Sequence, residues 1–227
     1  MSSSPISSSV QVQCLGILFD MDGILISSIA SVERSWTKWA LMRDVVPARA
    51  IEAAHGRRAI ETVALLRPDL DSAHELKVIE EIEVEDGKDI EILPGVEALL
   101  AALPPERWTV VTSATERLAR ARLAQAGLPV PGRMITADQV EKGKPEPDPY
   151  LAGAKLLGFP AADCVVFEDS GSGVQAGHSA GCTVIATTFS HDAASLAAAD
   201  YLIPDLIGVE ARNHSDQVEL RFQPLKF

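Results

Sequence analysis

Two aspartates separated by one residue, Asp20 and Asp22, end the apolar run GILF and precede Gly23. In an extended chain successive side chains alternate in direction, so the two carboxylates share one side of the backbone and Met21 points to the other. Gly23 lets the chain turn away immediately afterwards. Taken alone, this pattern is more often a pair of solvated acids in an ordinary turn than a reactive site.

A second apolar run also ends in polar residues. Thr112 and Ser113 follow the run Trp108–Val111, and their hydroxyls and backbone amides are suited to holding phosphate oxygens. The same two residues would also serve to cap a helix that begins at Glu116. The residues by themselves leave both interpretations open.

Glu168 and Asp169 follow a third apolar run, Cys164–Phe167, and Lys144 precedes that run in a turn restricted by Pro145. Alone, such a lysine is usually a surface residue, and such an acidic pair is usually a solvated loop. The carboxyl ends of parallel strands, however, meet at one sheet edge, where four acids would repel one another. A divalent cation among them would relieve the repulsion, and oxygen ligands favour a hard ion such as Mg²⁺.

The elements that must position these residues alternate between strand and helix. Four short runs rich in Val, Ile and Leu predict buried strands, and each lies beside a helical pattern. This order is typical of an α/β fold, here a three-layer Rossmann-like parallel sheet with helices on its two faces. The predicted strands are Leu15–Phe19, Trp108–Val111, Cys164–Phe167 and Thr183–Ala186, and the predicted core helices are Val96–Leu103, Glu116–Ala126 and Tyr150–Leu157.

An α-helical insertion interrupts this alternation. The spacing predicts three helices and no strand in it, and the Pro94-Gly95 pair marks the return to the core. Trp36 and Trp39 are expected inside the insertion rather than at a sugar-binding surface. We therefore predict a flexible leader over residues 1–9, a core over residues 10–27 and 93–227, and a helical cap domain over residues 28–92. The helices are marked by Val32, Trp36 and Ala40, by Ile60, Val63 and Leu66, and by His74–Glu85.

The composition restricts the partners. A formal net charge of −12 would repel nucleic acid and anionic membranes, whereas a small anionic substrate can bind at a local basic group or a metal ion. The apolar runs are too short to span a bilayer, and the start MSSSPISSS lacks the pattern of a signal peptide, so we expect a cytoplasmic monomer. Cys14, Cys164 and Cys182 lack metal or redox spacing and are expected to be buried free thiols.

Four segments, DMDGIL, VVTSAT, KGKPEPDPY and VFEDSGSGVQAG, resemble in order and spacing the motifs of the haloacid dehalogenase-like superfamily of phosphohydrolases. The resemblance extends from about Leu15 to Leu206. The insertion after the first motif is similar to the helical cap of the subgroup that contains beta-phosphoglucomutase and many sugar phosphatases. Within the chain, VERSWTKWA, HGRRAIET and ARLAQAGLPVP are similar to phosphatases of 2-deoxyglucose 6-phosphate, glycerol phosphate and related sugar or polyol phosphates.

This resemblance implies a Mg²⁺-dependent phosphatase whose substrate is a small phosphorylated metabolite. It implies that Asp20 attacks phosphorus to form an aspartyl phosphate, and that Asp22 protonates the leaving alkoxide and later takes a proton from water. Thr112 and the Ser113 amide would hold the phosphoryl group, and Lys144 would bridge Asp20 and a phosphate oxygen. The implied metal ligands are Asp20, the backbone carbonyl of Asp22, Asp169, and Glu168 directly or through water.

A compact basic loop lies within the predicted cap. His55, Gly56, Arg57 and Arg58 are adjacent in an otherwise acidic protein. Arginine forks are suited to binding substrate hydroxyls or phosphate, but a solvated surface loop is an equal alternative. We therefore name these four residues as candidate substrate ligands and leave both interpretations open.

Two residues depart from the family pattern. Ile24 stands where a threonine is common, and a β-branched residue there still packs at the end of the strand, so we expect the chemistry to be retained. Ser27 stands where an acid is common, at the hinge into the cap. We therefore expect cap closure or substrate preference to differ from that of relatives.

Other functions compete with a phosphatase. A phosphomutase of the beta-phosphoglucomutase type is the nearest, since it also needs the second aspartate. A dehalogenase is disfavoured because it has no leaving alcohol to protonate and so no use for Asp22. A phosphonate hydrolase is disfavoured for want of a suitably placed lysine in the first cap helix, although Lys38 keeps this alternative open. A receiver-type signalling domain gathers similar residues around Mg²⁺, but it is about half this length and has no inserted cap.

Overall fold

The computed structural model describes residues 9–54 and 57–225, in which strands alternate with helices. His55 and Gly56, named above as candidate ligands, lie outside the described residues. The strands are β1 (Val10–Cys14), β2 (Gly16–Phe19), β3 (Ile26–Ser27), β4 (Glu91–Ile92), β5 (Trp108–Val110), β6 (Cys164–Glu168), β7 (Thr183–Thr187), β8 (Tyr201–Ile203), β9 (Glu210–Asn213) and β10 (Val218–Phe222). The helices are α1 (Ile29–Met42), α2 (Pro47–Ala54), α3 (Ala59–Leu66), α4 (Ser72–Glu85), α5 (Val96–Ala102), α6 (Glu116–Ala126), α7 (Asp148–Leu157) and α8 (Gly171–Ser179).

A five-stranded parallel sheet forms the centre of the protein, in the order β5-β2-β6-β7-β8. The strand β2 lies between β5 and β6, with Phe19 level with Val110 on one side and with Phe167 on the other. All of β2 is buried, as expected for a parallel strand that is covered on two faces. The carboxyl ends of these three strands are therefore neighbours at one edge of the sheet.

Alternate residues of the sheet pack into two separate hydrophobic layers. Ile17 and Phe19 face the layer that contains residues of α5 and α6, whereas Leu18 and Val166 face the layer that contains residues of α7 and α8. Helices thus cover both faces of the sheet. The three-layer α/β architecture predicted from the sequence is confirmed.

Four helices, α1 to α4, lie between the short strands β3 and β4, and we call residues 29–85 the helical block. The block buries a hydrophobic cluster of its own around Trp36 and Trp39, and both side chains are buried, as predicted. Trp36 also lines the cavity described below, so its place in the core does not separate it from that cavity. The Trp39 indole N–H donates to Glu75 at 2.9 Å, which satisfies its polar atom inside the cluster. Strands β3 and β4 pair antiparallel, so the chain leaves and rejoins the core at adjacent points. The domain boundaries at residues 28 and 92 stay a prediction.

Several strands were not predicted from the sequence. β8 extends the central sheet, and β1, β10 and β9 form a separate antiparallel sheet in that order. The sequence VQVQC of β1 alternates as a half-buried strand does, but its partner β10 lies near the other end of the chain. Pairing at that distance along the chain depends on tertiary packing, which local residue patterns do not report.

The predicted helices correspond to α1, α3, α4, α5, α6 and α7, with small shifts at their ends. α6 covers the predicted residues, α7 begins two residues earlier than predicted, and α4 does likewise. The prediction of three helices and no strand over residues 28–92 was wrong, because α2 and β4 also lie there, and α8 of the core was not predicted. α2 fully buries only Ala50, so its buried face was weakly marked in the sequence.

The N-cap residue of α6 is not one of the two residues that the sequence offered for it. Thr115, rather than Thr112 or Ser113, is the N-cap residue, and its hydroxyl accepts a hydrogen bond from the Leu118 amide. Thr112 and Ser113 are therefore not needed to begin this helix.

The three cysteines are buried free thiols, as predicted. Burial raises the pKa of Cys14 to about 12 and that of Cys164 to about 11, so these thiols stay protonated and unreactive. Among the described residues, no helix has the length and apolar character required to cross a membrane.

Gly95 begins α5 at the return from the helical block, with a φ of +87°. A Cβ there would lie 2.3 Å from the carbonyl carbon of Leu206, so we expect Gly95→Ala to lower the free energy of unfolding by more than about 3 kcal/mol. Gly127 has a similar φ of +78° but no atom within 4 Å of the added carbon. Gly127→Ala should therefore cost only about 1 kcal/mol. Urea unfolding compares the two, and equal losses would contradict the predicted backbone clash.

Candidate active site

The loop after β2 brings Asp20 to the edge of the sheet. The Asp20 amide donates to the Phe167 carbonyl at 2.9 Å, and the Val111 amide donates to the Phe19 carbonyl at 2.8 Å, so the ladders on both sides continue to this point. The backbone at Phe19 and Asp20 is therefore fixed by hydrogen bonds to the two neighbouring strands. Its side chain is buried.

The structure requires a glycine at position 23 for a second reason besides the turn. Its φ is +86°, and a Cβ on it would lie 1.8 Å from Oδ2 of Asp169. Any side chain at this position would therefore displace the Asp169 carboxylate. The glycine in the first motif thus makes room for an acid in the fourth motif.

Lys144 links the ends of three strands. Its Nζ donates to Oδ1 of Asp20 and to Oε1 of Glu168, both at 2.6 Å, and to the Val111 carbonyl at 3.2 Å. The lysine is only 6% exposed, so the expectation for an isolated surface lysine does not hold here. Its ammonium also lies 5.1 Å from the centre of the Tyr150 ring, within the range of a cation–π contact.

Glu168 is fully buried and accepts hydrogen bonds on both oxygens. Oε1 accepts from Lys144 and, at 2.7 Å, from the Tyr150 hydroxyl. Oε2 accepts from the Asp169 amide at 2.8 Å, the Ser170 amide at 3.0 Å and the Ser170 hydroxyl at 3.1 Å. These five bonds fill the roughly four acceptor positions of a carboxylate. Burial disfavours the charged form, but the charge and hydrogen bond of Lys144 outweigh it and lower the pKa of Glu168.

Three buried carboxylates form a group that could hold a metal ion. Asp20, Glu168 and Asp169 each offer an oxygen, and these oxygens lie within 4.8 Å of one another. Lys144 is in hydrogen-bond contact with two of the three, so negative charge remains in excess. The oxygen donors and the uncompensated charge fit a hard divalent cation. The side chain of Asp22 is not part of this group.

The excess charge changes the acidity of the group. Burial, followed by the repulsion from Glu168, raises the pKa of Asp20 to about 7, although Lys144 acts in the opposite direction. Burial and the same repulsion raise the pKa of Asp169 well above its usual range. The folded protein without a metal therefore holds protons on acids that the unfolded chain would ionise.

Thr112 and Ser113 lie at the end of β5, beside this group. The Thr112 amide donates to the Ile135 carbonyl at 2.9 Å, and its hydroxyl accepts from the Ala114 amide at 3.1 Å. Thr112 is buried, whereas Ser113 is partly exposed, and both line the same cavity as Asp20. Thr112 and Ser113 therefore lie at the cavity that contains Asp20, although the Thr112 amide is already bonded to the Ile135 carbonyl.

Asp22 lies in the same cavity but in a different environment. The Ser28 hydroxyl donates to its Oδ1, and Arg122 Nη1 donates to its Oδ2 at 3.0 Å. Its side chain is 30% exposed, in contrast to the buried acid group. The two aspartates of the first motif therefore differ in contacts, since Asp20 is bonded to Lys144 and Asp22 to Arg122.

A cavity of about 500 Å³ separates the sheet edge from the helical block. This volume is within the range of pockets that bind small molecules. Its floor is polar, and the helical block contributes an apolar wall that includes Val32, Trp36, Ile60 and Leu76. The floor is formed by Asp20, Asp22, Thr112, Ser113, Lys144 and Asp169.

The basic loop is described only in part. Arg57 is exposed and lines the cavity. Arg58 also lines it, but its guanidinium pairs with Glu61 and donates to the carbonyls of Val140 and Glu141 at 3.3 and 3.2 Å. Arg58 thus joins the helical block to the segment just before Lys144. Substrate contact by these residues stays a prediction.

The sequence analysis did not single out three residues of the site. Tyr150 belongs to a quoted motif, but nothing in the sequence shows that its hydroxyl reaches Glu168. Arg122 lies within the quoted segment ARLAQAGLPVP, on the buried face of α6 beside Ala119 and Leu123. A charge among apolar residues at helical spacing was a further signal. Ser190 donates to Asp169, and no local pattern indicates this contact.

Several known proteins are similar to this chain. The haloacid dehalogenase-like hydrolase family matches residues 15–181. Hexitol phosphatase A of Escherichia coli (strain K12) is 40% identical over 200 residues, which cover 86% of this chain and 93% of that protein. Glycerol-1-phosphate phosphohydrolase 2 of Saccharomyces cerevisiae is 34% identical over 223 residues, which cover 90% of this chain and 89% of that protein.

A solved structure shows that the fold is shared. The crystal structure of beta-phosphoglucomutase from Clostridium difficile superposes with a TM-score of 0.73 and covers 85% of this chain and 92% of its own. Its sequence is 20% identical, so the likeness concerns the fold alone. The similarities stated from the motifs are confirmed at the level of the family.

The raised pKa values of Asp20 and Asp169 predict how stability depends on pH. Because the pKa of Asp20 is about 7 in the folded protein, the folded state binds a proton between about pH 4 and pH 7 that the unfolded chain has lost. The free energy of unfolding of metal-free protein should therefore rise as pH falls through this interval, by up to about 1.4 kcal/mol per pH unit for each such group.

Urea unfolding in EDTA between pH 8 and pH 5 measures this dependence. The isosteric variant Asp20→Asn is the matched control, since it removes one carboxylate from the group and should give a shallower slope. Identical slopes for the two proteins would contradict a raised pKa of Asp20.

Proposed function

The chain belongs to the haloacid dehalogenase-like hydrolases, and on that premise we propose that it is a Mg²⁺-dependent phosphatase of small sugar or polyol phosphates. The reaction proceeds through an aspartyl phosphate on Asp20. The observation that carries the proposal is a single cavity in which Asp20, bonded to Lys144, is joined by Asp22 and Thr112. These groups correspond to the nucleophile, the positive charge, the proton donor and the phosphate ligand that phosphoryl transfer requires.

The metal is proposed from the acid group. Mg²⁺ suits a set of oxygen donors with excess negative charge. Asp20 and Asp169 would bind it together with the backbone carbonyl of Asp22. Glu168 would contribute through water, because its oxygens already accept five hydrogen bonds. When bound, the ion offsets the charge that would repel a phosphate dianion.

In the first half-reaction a carboxylate oxygen of Asp20 attacks phosphorus while the bond between phosphorus and the ester oxygen breaks. The leaving alkoxide takes a proton from Asp22 and departs as the alcohol. Lys144 holds Oδ1 of Asp20 at 2.6 Å and so restricts the direction of the nucleophile. Thr112 and Ser113 hold the oxygens of the phosphoryl group as it moves.

In the second half-reaction water attacks the phosphorus of the aspartyl phosphate, and the bond between phosphorus and Asp20 breaks. Asp22 takes the proton of that water, which restores its acid form for the next turnover. Inorganic phosphate leaves. One water is consumed for each alcohol and phosphate produced, and the same carboxyl group serves both proton transfers.

Two observations support the substrate class. The similar proteins are named for a hexitol and for glycerol 1-phosphate, which are polyols or their phosphates. The cavity also has the volume of a small phosphorylated metabolite, and it is closed on one side by Trp36 and its apolar neighbours. The proposal includes the monomeric state, the cytoplasmic location and the absence of nucleic-acid binding expected from the sequence.

A panel of hexitol phosphates, glycerol phosphates and sugar phosphates tests the activity by release of inorganic phosphate. Release from at least one polyol or sugar phosphate in the presence of Mg²⁺ is expected. Formation of a phosphate isomer with a bisphosphate activator, in place of phosphate release, would indicate the phosphomutase. A long-lived aspartyl phosphate without turnover would indicate a receiver-type domain.

Asp20→Asn should lower kcat by at least about a thousandfold, because an amide cannot act as the nucleophile. The circular dichroism spectrum should be unchanged. Asp163→Asn, which alters an exposed aspartate just before β6 at the opposite edge of the sheet, is the control and should retain activity. Retained activity in Asp20→Asn would reassign the nucleophile.

Treatment with EDTA should abolish phosphate release, and added Mg²⁺ should restore it. Because the pKa of Asp20 is raised to about 7, protons should compete with the metal and weaken Mg²⁺ binding as the pH falls below that value. Calorimetry in two buffers of different ionisation enthalpy would detect the released protons. Binding without proton release at pH 6, or activity that survives EDTA, would contradict this prediction.

A further inference from the structure

Arg122 is a buried cation between two carboxylates from different parts of the fold. Its Nη1 donates to Oδ2 of Asp22 at 3.0 Å, and its Nη2 donates to Oε1 of Glu83 at 3.1 Å. The Arg122 side chain is 4% exposed and that of Glu83 is 5% exposed. The third nitrogen of the guanidinium, Nε, has no hydrogen-bond partner in the described part of the chain. The two carboxylates therefore determine the orientation of the guanidinium.

These contacts connect three structural elements. Glu83 belongs to α4 of the helical block, Arg122 belongs to α6 of the core, and Asp22 belongs to the loop after β2. The other oxygen of Asp22 accepts from Ser28, which lies just before the helical block. Both oxygens of Asp22 therefore accept a hydrogen bond. One bond comes from Ser28, just before the block, and the other comes from Arg122, which is itself bonded to Glu83 near the end of the block.

Attachment of α4 to α6 does not require this buried network. At the surface, Arg117 of α6 pairs with Glu80 and Glu81 of α4, and Gln125 donates to the Val84 carbonyl. Burying charges costs solvation free energy that their mutual attraction often only offsets, so a buried ion pair is poor support for a stabilising role. The position of Arg122 against Asp22 is better explained by a requirement of the site.

We propose that Arg122 is a positioning residue for Asp22, and that Glu83 ties this positioning to the helical block. This inference rests on the proposed phosphatase function. Arg122 directs the Asp22 carboxyl group within the cavity by holding one of its oxygens. Glu83 fixes the guanidinium when α4 lies against α6, so the carboxyl group that transfers the proton is oriented only when the block covers the cavity.

The inference predicts a dependence on the leaving group. The value of kcat/KM reports the steps up to departure of the alcohol, in which Asp22 protonates the alkoxide. A polyol phosphate needs this proton, whereas p-nitrophenyl phosphate releases a stable phenolate that does not. A misdirected Asp22 carboxyl group should therefore lower kcat/KM for the polyol phosphate and leave kcat/KM for p-nitrophenyl phosphate unchanged.

The variants Arg122→Met, Arg122→Lys and Glu83→Gln test this on p-nitrophenyl phosphate and on the polyol or sugar phosphate of the panel from which the wild-type protein releases phosphate fastest. Arg122→Met should lower kcat/KM about a hundredfold for the polyol or sugar phosphate and less than about threefold for the aryl phosphate. Arg122→Lys should recover part of the loss because it keeps a donor near Asp22. Glu83→Gln should give a smaller loss, again confined to the polyol or sugar phosphate. An equal loss on both substrates would show a merely structural role and would overturn the proposal.

Two further variants serve as controls. Arg122→Met leaves Glu83 buried without a counter-charge, so the double variant Arg122→Met/Glu83→Gln is made in parallel and should show the same selective loss. Arg117→Met, which removes only the surface pairs between α6 and α4, is the matched control and should leave the ratio of the two kcat/KM values unchanged. If the double variant does not fold, Glu83→Gln and Arg122→Lys decide the question.

Failure of the inference is separable from failure of the proposed function. If the wild-type protein releases no phosphate from p-nitrophenyl phosphate or from any polyol or sugar phosphate of the panel, the proposed function is wrong. If the wild-type protein is active and Asp22→Asn shows the selective loss on the polyol or sugar phosphate, the proposed function stands. In that case, if Glu83→Gln and both Arg122 variants kept the wild-type ratio of the two kcat/KM values, the inference would be overturned and the proposed function would not.

Discussion

The structure of the site depends on holding more buried negative charge than its own cation can balance. Lys144 bonds to Asp20 and Glu168, but Asp169 adds a third buried carboxylate at the same edge of the sheet. Burial and mutual repulsion raise the pKa values of Asp20 and Asp169. A folded protein tolerates such a group only where protons or a metal ion complete the charge balance. The same excess of negative charge is what the proposed divalent cation would balance.

The surrounding fold holds this group in place rather than relieving the repulsion. The hydrogen bonds on either side of Asp20 continue the ladders of the central sheet, so its backbone has little freedom. Glu168 is saturated by donors from Tyr150, Ser170 and the following backbone, which leaves it suited to orient Lys144. Gly23 makes room for Asp169. Preorganised charges of this kind need no rearrangement when a phosphoryl group arrives.

The helical block contributes differently from the core. It covers the cavity with an apolar wall and brings Glu83 to the buried guanidinium of Arg122. Under the proposed function, the core alone would supply a nucleophile and a metal group that are open to water. Exclusion of water and orientation of Asp22 would then both depend on contacts between block and core, and specificity and proton transfer would share one interface.

The sequence by itself determined the parallel sheet, the helical insertion and the residues at three strand ends. Apolar runs and polar strand ends are local properties, and parallel pairing necessarily brings those ends together. Tertiary structure alone decided the antiparallel pairing of β1 with β10, the saturation of Glu168 and the contact between Arg122 and Asp22. The pairing of β1 with β10 and the contact of Arg122 with Asp22 join residues far apart in the chain, so they form only when the elements pack together. Arg122 illustrates the difference. Its place on a buried helix face was readable, while the two carboxylates it meets were set by the packing of α6 against α4 and against the loop after β2.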